Sequence, residues 1–190
     1  MNVCVYGASS NEIDQKYLVA TEALGEALAL EGHCMVYGAG GAGLMGAAAR
    51  GMTRRGGHII GVVPTFLKVD GILYDGCNEM IYTDTMRERK QVMEERSDAF
   101  VVTPGGIGTY EEFFEIYTLK QLGRHRKPII LYNIDGFFDR LFEILKDMVD
   151  GGFMRDTCLS LLTMATTPDE VLTQLRGASD AVSVAETKFV

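Results

Sequence analysis

Residues 98–122 read DAFVVTPGGIGTYEEFFEIYTLKQL, and the reading of this stretch decides the fold. The run AFVVT has the length and composition of a strand buried on both faces. A proline and three glycines interrupt it at Pro104, Gly105, Gly106 and Gly108. From Thr109 to Leu122 the apolar residues then return at helical spacing. Strand, glycine turn and helix make up the repeating half of a βαβ unit.

The rest of the chain repeats that half-unit. Strand candidates are NVCVY, CMVYG, HIIGVV, EMIYT, AFVVT and PIILYN, with LLTMA as a weaker seventh. Helical spacing covers Tyr17 to Leu30, Leu44 to Arg55, Thr85 to Arg96, Thr109 to Leu122, Phe137 to Asp150 and Pro168 to Leu175. The alternation predicts an α/β fold, a single-domain, doubly wound, Rossmann-like parallel sheet flanked by helices. Residues 1–176 read as one domain and 177–190 as a less ordered C-terminal tail. The segment from Pro64 to Cys77 reads as a long loop over the functional edge of the sheet.

Composition narrows the function classes. The 190 residues are 47% hydrophobic and 23% charged, as in an ordinary globular domain, and the formal net charge is −8. Nucleic-acid binding draws its affinity from Lys and Arg on phosphates, so an acidic chain argues against it. The chain opens directly into NVCVY, without a basic region and a long apolar segment, and holds no run of membrane-spanning length. A cytoplasmic protein with no membrane partner is expected. Cys4, Cys34, Cys77 and Cys158 form no CxxC pair and read as reduced, mostly buried thiols; His33, His58 and His125 lack metal-ligand spacing. Neither a metal nor another cofactor is expected.

Ligands of open parallel sheets bind at the carboxyl ends of the strands, where two glycine-rich turns fall. Gly38, Gly40 and Gly43 satisfy GxGxxG between a strand and a helix, one reading of which is a dinucleotide fingerprint. The acid about 20 residues on that would hold a ribose is missing, because the count from Gly43 falls in GVVPTF. Tight turning and close helix packing is the other reading. In PGGIGT the missing Cβ atoms of Gly105, Gly106 and Gly108 let backbone N–H groups converge on an anion, with the Thr109 hydroxyl at the helix start. A turn made for its geometry alone remains the alternative. No GxxxxGK[ST] run is present, which argues against a P-loop ATPase or kinase.

Glu111 and Glu112 fall in the first turn of the following helix, where its dipole favours negative charge. Two acids would also repel a bare phosphate, so a sugar is the natural neighbour for at least one of them. In TDTMRERKQVMEER, Thr83 to Arg96, helical spacing puts Met86, Arg89, Lys90 and Met93 on one side. Such a run is either a solvated charged face or a source of a cation for the phosphate or the carboxylate.

Together, MRERK at 86–90 and PGGIGTYEE at 104–112 resemble the LOG ("Lonely Guy") family of nucleoside 5'-monophosphate phosphoribohydrolases. The family pattern PGGxGTxxE is met in full and ends at Glu112. Similarity runs from CVYGASS through YGAGGAGLMG to LKQLGRHRKPIILYNIDGFFD and covers most of the chain. The resemblance implies hydrolysis of the N-glycosidic bond of a purine nucleoside 5'-monophosphate, AMP or an N6-modified AMP, to free base and ribose 5-phosphate.

By position, the resemblance makes Arg89 and Glu112 the catalytic pair. Gly105, Gly106, Gly108 and Thr109 would hold the 5'-phosphate, with Ile107 also among the substrate-binding residues and Glu111 near the ribose. Met86, Lys90 and Thr118 would line the nucleotide pocket, and a homodimer with the site near the subunit interface is implied. The family often has His, in MHxRK, where this chain has Arg87, which changes charge and hydrogen bonding at that point. LOG-like proteins also include non-catalytic carriers of molybdenum cofactor, an alternative that needs the phosphate cradle but not the pair. The label lysine decarboxylase, often attached to relatives, finds no obvious pyridoxal phosphate site here.

Overall fold

The computed structural model describes residues 1–69 and 71–180. Among them, β1 (Asn2–Tyr6), β2 (Cys34–Tyr37), β3 (Ile59–Pro64), β4 (Glu79–Thr83), β5 (Ala99–Val102), β6 (Ile129–Tyr132) and β7 (Thr163–Ala165) form one seven-stranded sheet. Every pairing is parallel, in the order β4, β3, β2, β1, β5, β6, β7. Helices α1 (Gln15–Leu30), α2 (Gly43–Arg54), α3 (Met86–Glu95), α4 (Ile107–Gln121), α5 (Asp139–Asp150) and α6 (Pro168–Asp180) connect and cover the strands. The predicted doubly wound α/β fold is the observed one.

The inner strands carry no polar alternation because neither face meets water. β3, β5 and β6 are buried at every residue, whereas the edge strand β4 is buried only at Thr83. Two apolar clusters fill the layers on either side. One gathers Val3, Val5, Leu24, Leu28, Met35 and Met52 with α1, α2 and α6; the other gathers Cys4, Tyr6, Val36, Met93, Phe100 and Phe113 with α3, α4 and α5.

Differences from the sequence expectations lie at element ends. Thr103 leaves β5 because its N–H and its hydroxyl both donate to the Tyr6 carbonyl, at 2.8 and 2.9 Å. Helix α1 starts two residues before the expected Tyr17, since the Asp14 side chain accepts from Lys16 N–H and caps it. In LLTMA only Thr163–Ala165 pairs as a strand, after a short 3-10 run at Asp156–Leu161 that accepts the Tyr117 hydroxyl on the Cys158 carbonyl at 2.9 Å. Helix α6 continues past Leu175 to Asp180, with Leu175 buried and Arg176 donating to Glu31 at 2.8 Å. It thus includes the first four residues of the segment read as a tail; 181–190 lie outside the described residues.

The strand order reverses between β1 and β5, so the segments leaving these strands diverge and open a crevice at their carboxyl ends. On the flank of that crevice α1 and α2 touch backbone to backbone. A Cβ on Gly25 would collide with the Ala48 carbonyl oxygen, and one on Gly51 with that of Glu22. Alanine at a helical glycine ordinarily stabilises by up to about 1 kcal/mol. Here the obstacle is backbone, so we expect Gly51→Ala to lower the urea midpoint, by roughly 1–3 kcal/mol in stability. Gly177 of α6 faces open space, and Gly177→Ala should raise the midpoint. Equal signs for the two substitutions would contradict the close packing.

Candidate active site

The two glycine turns meet at the crevice but use their backbones in opposite ways. At the start of α2, Gly43 N–H donates to the Asn11 side chain at 2.8 Å, and Leu44 and Met45 N–H donate to the Ala8 carbonyl. Gly41 N–H donates to the Ile72 carbonyl at 2.9 Å, and the Ala39 carbonyl accepts from Tyr74. The bonds to Ile72 and Tyr74 hold those residues against the turn, and the N–H groups of Gly41, Gly43, Leu44 and Met45 are engaged within the protein. Of the fingerprint glycines, Gly43 adopts a left-handed φ of 60° close to the Ser10 carbonyl, and Gly40 makes room for Met45. Gly43 and Gly40 thus serve close packing, while Gly38 and Gly40 also line the crevice.

The turn into α4 is open by contrast. Its N-cap, Gly106, has an extended backbone and no side chain caps the helix. Gly106 and Gly108 face open space. Gly105 serves a different end: its missing Cβ leaves room for the Thr109 side chain, which is buried and folds back over it. Ile107, between the open glycines, is 90% exposed. The Pro104 carbonyl accepts from Ala8 N–H at 3.1 Å and ties this turn to the one after β1.

Arg89 reaches the crevice from the first half of α3. Thr85 starts that helix by accepting from Glu88 N–H at 3.1 Å, while the Glu88 carboxylate accepts from Asp84 N–H at 2.8 Å. The Arg89 Nε donates to the Val62 carbonyl of β3 at 3.2 Å, and Nη1 donates to Glu112 Oε1 at 2.7 Å. Both side chains are nearly enclosed, at 8% and 12% exposure. Burial pushes the Glu112 carboxyl above the ordinary glutamate value, against the opposing pull of Arg89.

A cleft of about 700 Å³ contains these groups. Gly106, Ile107, Gly108, Thr109, Arg89, Glu112 and Met86 line it, so seven of the residues predicted to act together do converge. Lys90, Glu111 and Thr118 do not line it. Lys90 is paired with Glu111 and, at 2.8 Å, with Glu115. It borders a separate recess of about 270 Å³ that also takes in Arg87, so the family's usual His position lies off the main cleft. Thr118 is exposed farther along α4.

Other wall residues went unrecognised in the sequence. Gly7, Ala8 and Ser9 follow β1 and face the α4 turn, a position that depends on β1 lying beside β5. Met45, Leu67, Ile72 and Leu73 form an apolar wall supplied by α2 and the 64–77 segment. The long-loop expectation pointed at the second of these, although not at particular side chains.

Cys4 and Cys158 are buried and Cys34 and Cys77 half-buried, all four as free thiols. Among the described residues no helix is long and apolar enough to cross a membrane.

Comparison with known proteins identifies the family. A family model described as "Possible lysine decarboxylase" matches residues 45–175. The chain is 39% identical over 170 residues to a cytokinin riboside 5'-monophosphate phosphoribohydrolase of Mycobacterium tuberculosis, covering 90% of each chain. It is 37% identical over 173 residues to the probable cytokinin riboside 5'-monophosphate phosphoribohydrolase LOGL5 of Oryza sativa, covering 91% of this chain and 70% of the relative. Among solved structures, the molybdenum cofactor carrier protein of Chlamydomonas reinhardtii superposes with a TM-score of 0.73 at 21% identity, covering 94% of this chain and 98% of that one. That last likeness is one of fold. With two thirds of its length under the family model and about nine tenths of it aligned to each of these relatives, the chain belongs to the LOG family of cytokinin riboside 5'-monophosphate phosphoribohydrolases.

Proposed function

We propose that the protein hydrolyses the N-glycosidic bond of purine nucleoside 5'-monophosphates, releasing free base and ribose 5-phosphate. The observation that carries this reading is a buried Arg89–Glu112 pair one helical turn beyond an uncapped, glycine-lined helix N-terminus in the same cleft. N–H groups of the 106–109 turn and the Thr109 hydroxyl take the phosphate, which the helix dipole favours. Glu112 follows Gly108 by four residues, about 6 Å along the helix axis. A phosphate on the turn therefore brings the sugar, the next group of the nucleotide, to the carboxylate.

In the reaction the C1'–N bond breaks with its electron pair leaving on the base, and C1' gains positive character. Glu112 Oε1 is held by Arg89, which leaves Oε2 to stabilise that charge or to align the attacking water. The water oxygen bonds to C1', one of its protons stays on the new hydroxyl, and the other neutralises the departing base. Arg89 keeps the carboxylate in place and offsets part of its burial.

The base lies against Met45, Leu67, Ile72, Leu73 and Met86 in this reading. An apolar wall suits an adenine whose N6 carries a hydrophobic substituent, the cytokinin riboside monophosphate type, better than it suits AMP. We place the protein in the cytoplasm as a homodimer, on the acidic, membrane-span-free sequence and the family resemblance respectively. A molybdenum-cofactor carrier would need the open turn but not the buried pair, so the pair favours the hydrolase. Among the described residues the cleft lining holds no lysine to form a Schiff base with pyridoxal phosphate, which speaks against a decarboxylase.

Glu112→Gln should leave folding and nucleotide binding intact and lower kcat by about 10²–10⁴-fold. Chromatographic detection of free base, over a panel of nucleoside 5'-monophosphates and the matching nucleosides, measures this. Release from unphosphorylated nucleosides, or near wild-type rates in the variant, would sink the proposal.

A second expectation concerns pH. Burial raises the Glu112 carboxyl in the folded protein, so the stability contributed by its protonated form is complete below the unfolded-state value and is lost as pH rises through the folded one. Carboxyl 13C NMR of the free protein, assigned by the signal missing from Glu112→Gln, should give a midpoint above the ordinary glutamate value of about 4.3. A midpoint below it would contradict the burial.

A further inference from the structure

We propose that Gly38 is a positioning residue, whose missing side chain at the end of β2 seats the Arg89 guanidinium against Glu112. Its consequence for turnover rests on the phosphoribohydrolase reading; its geometry does not. A Cβ on Gly38 would collide with Arg89 Nη2 and would lie 3.1 Å from Cζ and 3.6 Å from Nε. The guanidinium thus lies across the bare Cα of Gly38 while Nε bonds to Val62 of β3 and Nη1 to Glu112 of α4. Three sides of one planar group are set by three separate elements.

Gly38 is not needed for backbone conformation, since its φ lies outside the left-handed region occupied by Gly43. The contrast with Gly25 and Gly51 is informative. There an added methyl meets backbone carbonyls, whereas at Gly38 it meets the far end of a flexible side chain. An alanine at position 38 is accommodated by turning Arg89 aside rather than by moving the fold. What that motion breaks is the bond to Glu112.

The charged groups that act on Glu112 are Arg89 and Lys90 of α3 and Glu111 of α4. Cys4 and Tyr6 of β1 also lie close, but burial raises both, Cys4 to about 12, so they stay neutral where Glu112 titrates. Loss of the Arg89 contact leaves the Glu112 carboxylate buried without its cation, and its midpoint rises.

The test compares wild type, Gly38→Ala, Arg89→Lys and the double variant by urea unfolding, Glu112 carboxyl 13C titration and base release. For Gly38→Ala we expect the fold retained with a lowered urea midpoint, a Glu112 midpoint moved to higher pH, and a kcat lower by about 10²-fold. Lysine keeps the charge but lacks Nη2, so adding Gly38→Ala to Arg89→Lys should move the carboxyl midpoint no further. An unchanged Glu112 midpoint in Gly38→Ala, or the same added shift in the Arg89→Lys background, overturns the assignment. Should wild type release no base, the hydrolase reading falls, while the carboxyl titration still decides the role of Gly38.

Discussion

Arg89 and Glu112 face each other at 2.7 Å with 8% and 12% of their side chains exposed, so neither charge can rely on water. Removing one member of such a pair typically costs roughly 3–5 kcal/mol, because the other charge is left buried alone. Their surroundings therefore have to hold both in register. The capped start of α3 sets the height of Arg89, the Val62 carbonyl takes its Nε, and Gly38 leaves space for the guanidinium. Glu112 comes from α4, whose start is tied to the turn after β1 by the Ala8–Pro104 bond. Five strand or helix ends thus converge on one ion pair.

The same convergence explains why two glycine-rich turns in one crevice do different work. An N–H group that already donates to a protein acceptor cannot also serve a ligand. The turn before α2 directs its donors to Asn11, Ala8 and Ile72, and so builds the wall that carries Ile72 and Leu73. The turn before α4 lacks a capping side chain and is bordered by open space at Gly106 and Gly108. Whether a glycine turn is able to take an anion depends on which of its hydrogen bonds remain unmade, more than on glycine content.

Fold and relatives carry different weights of argument. The molybdenum cofactor carrier has nearly the same architecture at 21% identity, as expected for a sheet that hosts many functions. The sheet by itself therefore does not distinguish a hydrolase from a carrier. Residues around the pair also separate close neighbours in sequence: Glu112 turns into the cleft, while Glu111, one position earlier, pairs with Lys90 outside it.

The sequence by itself determined the α/β class, six of the strands to within a residue or two, and the pairing of PGGIGT with two following acids. These are local properties, since apolar runs, helical spacing and missing side chains act over a few residues. It also marked Arg89 and Glu112, through motifs that resemble a family. Only the tertiary structure decided that β1 lies beside β5, which brings Gly7, Ala8 and Ser9 to the cleft, and that Gly38 lies against the Arg89 guanidinium. It also separated Lys90, Glu111 and Thr118 from the lining. Strand order and side-chain direction depend on contacts between residues far apart in the chain, such as Val3 with Ala99, and no local pattern encodes them.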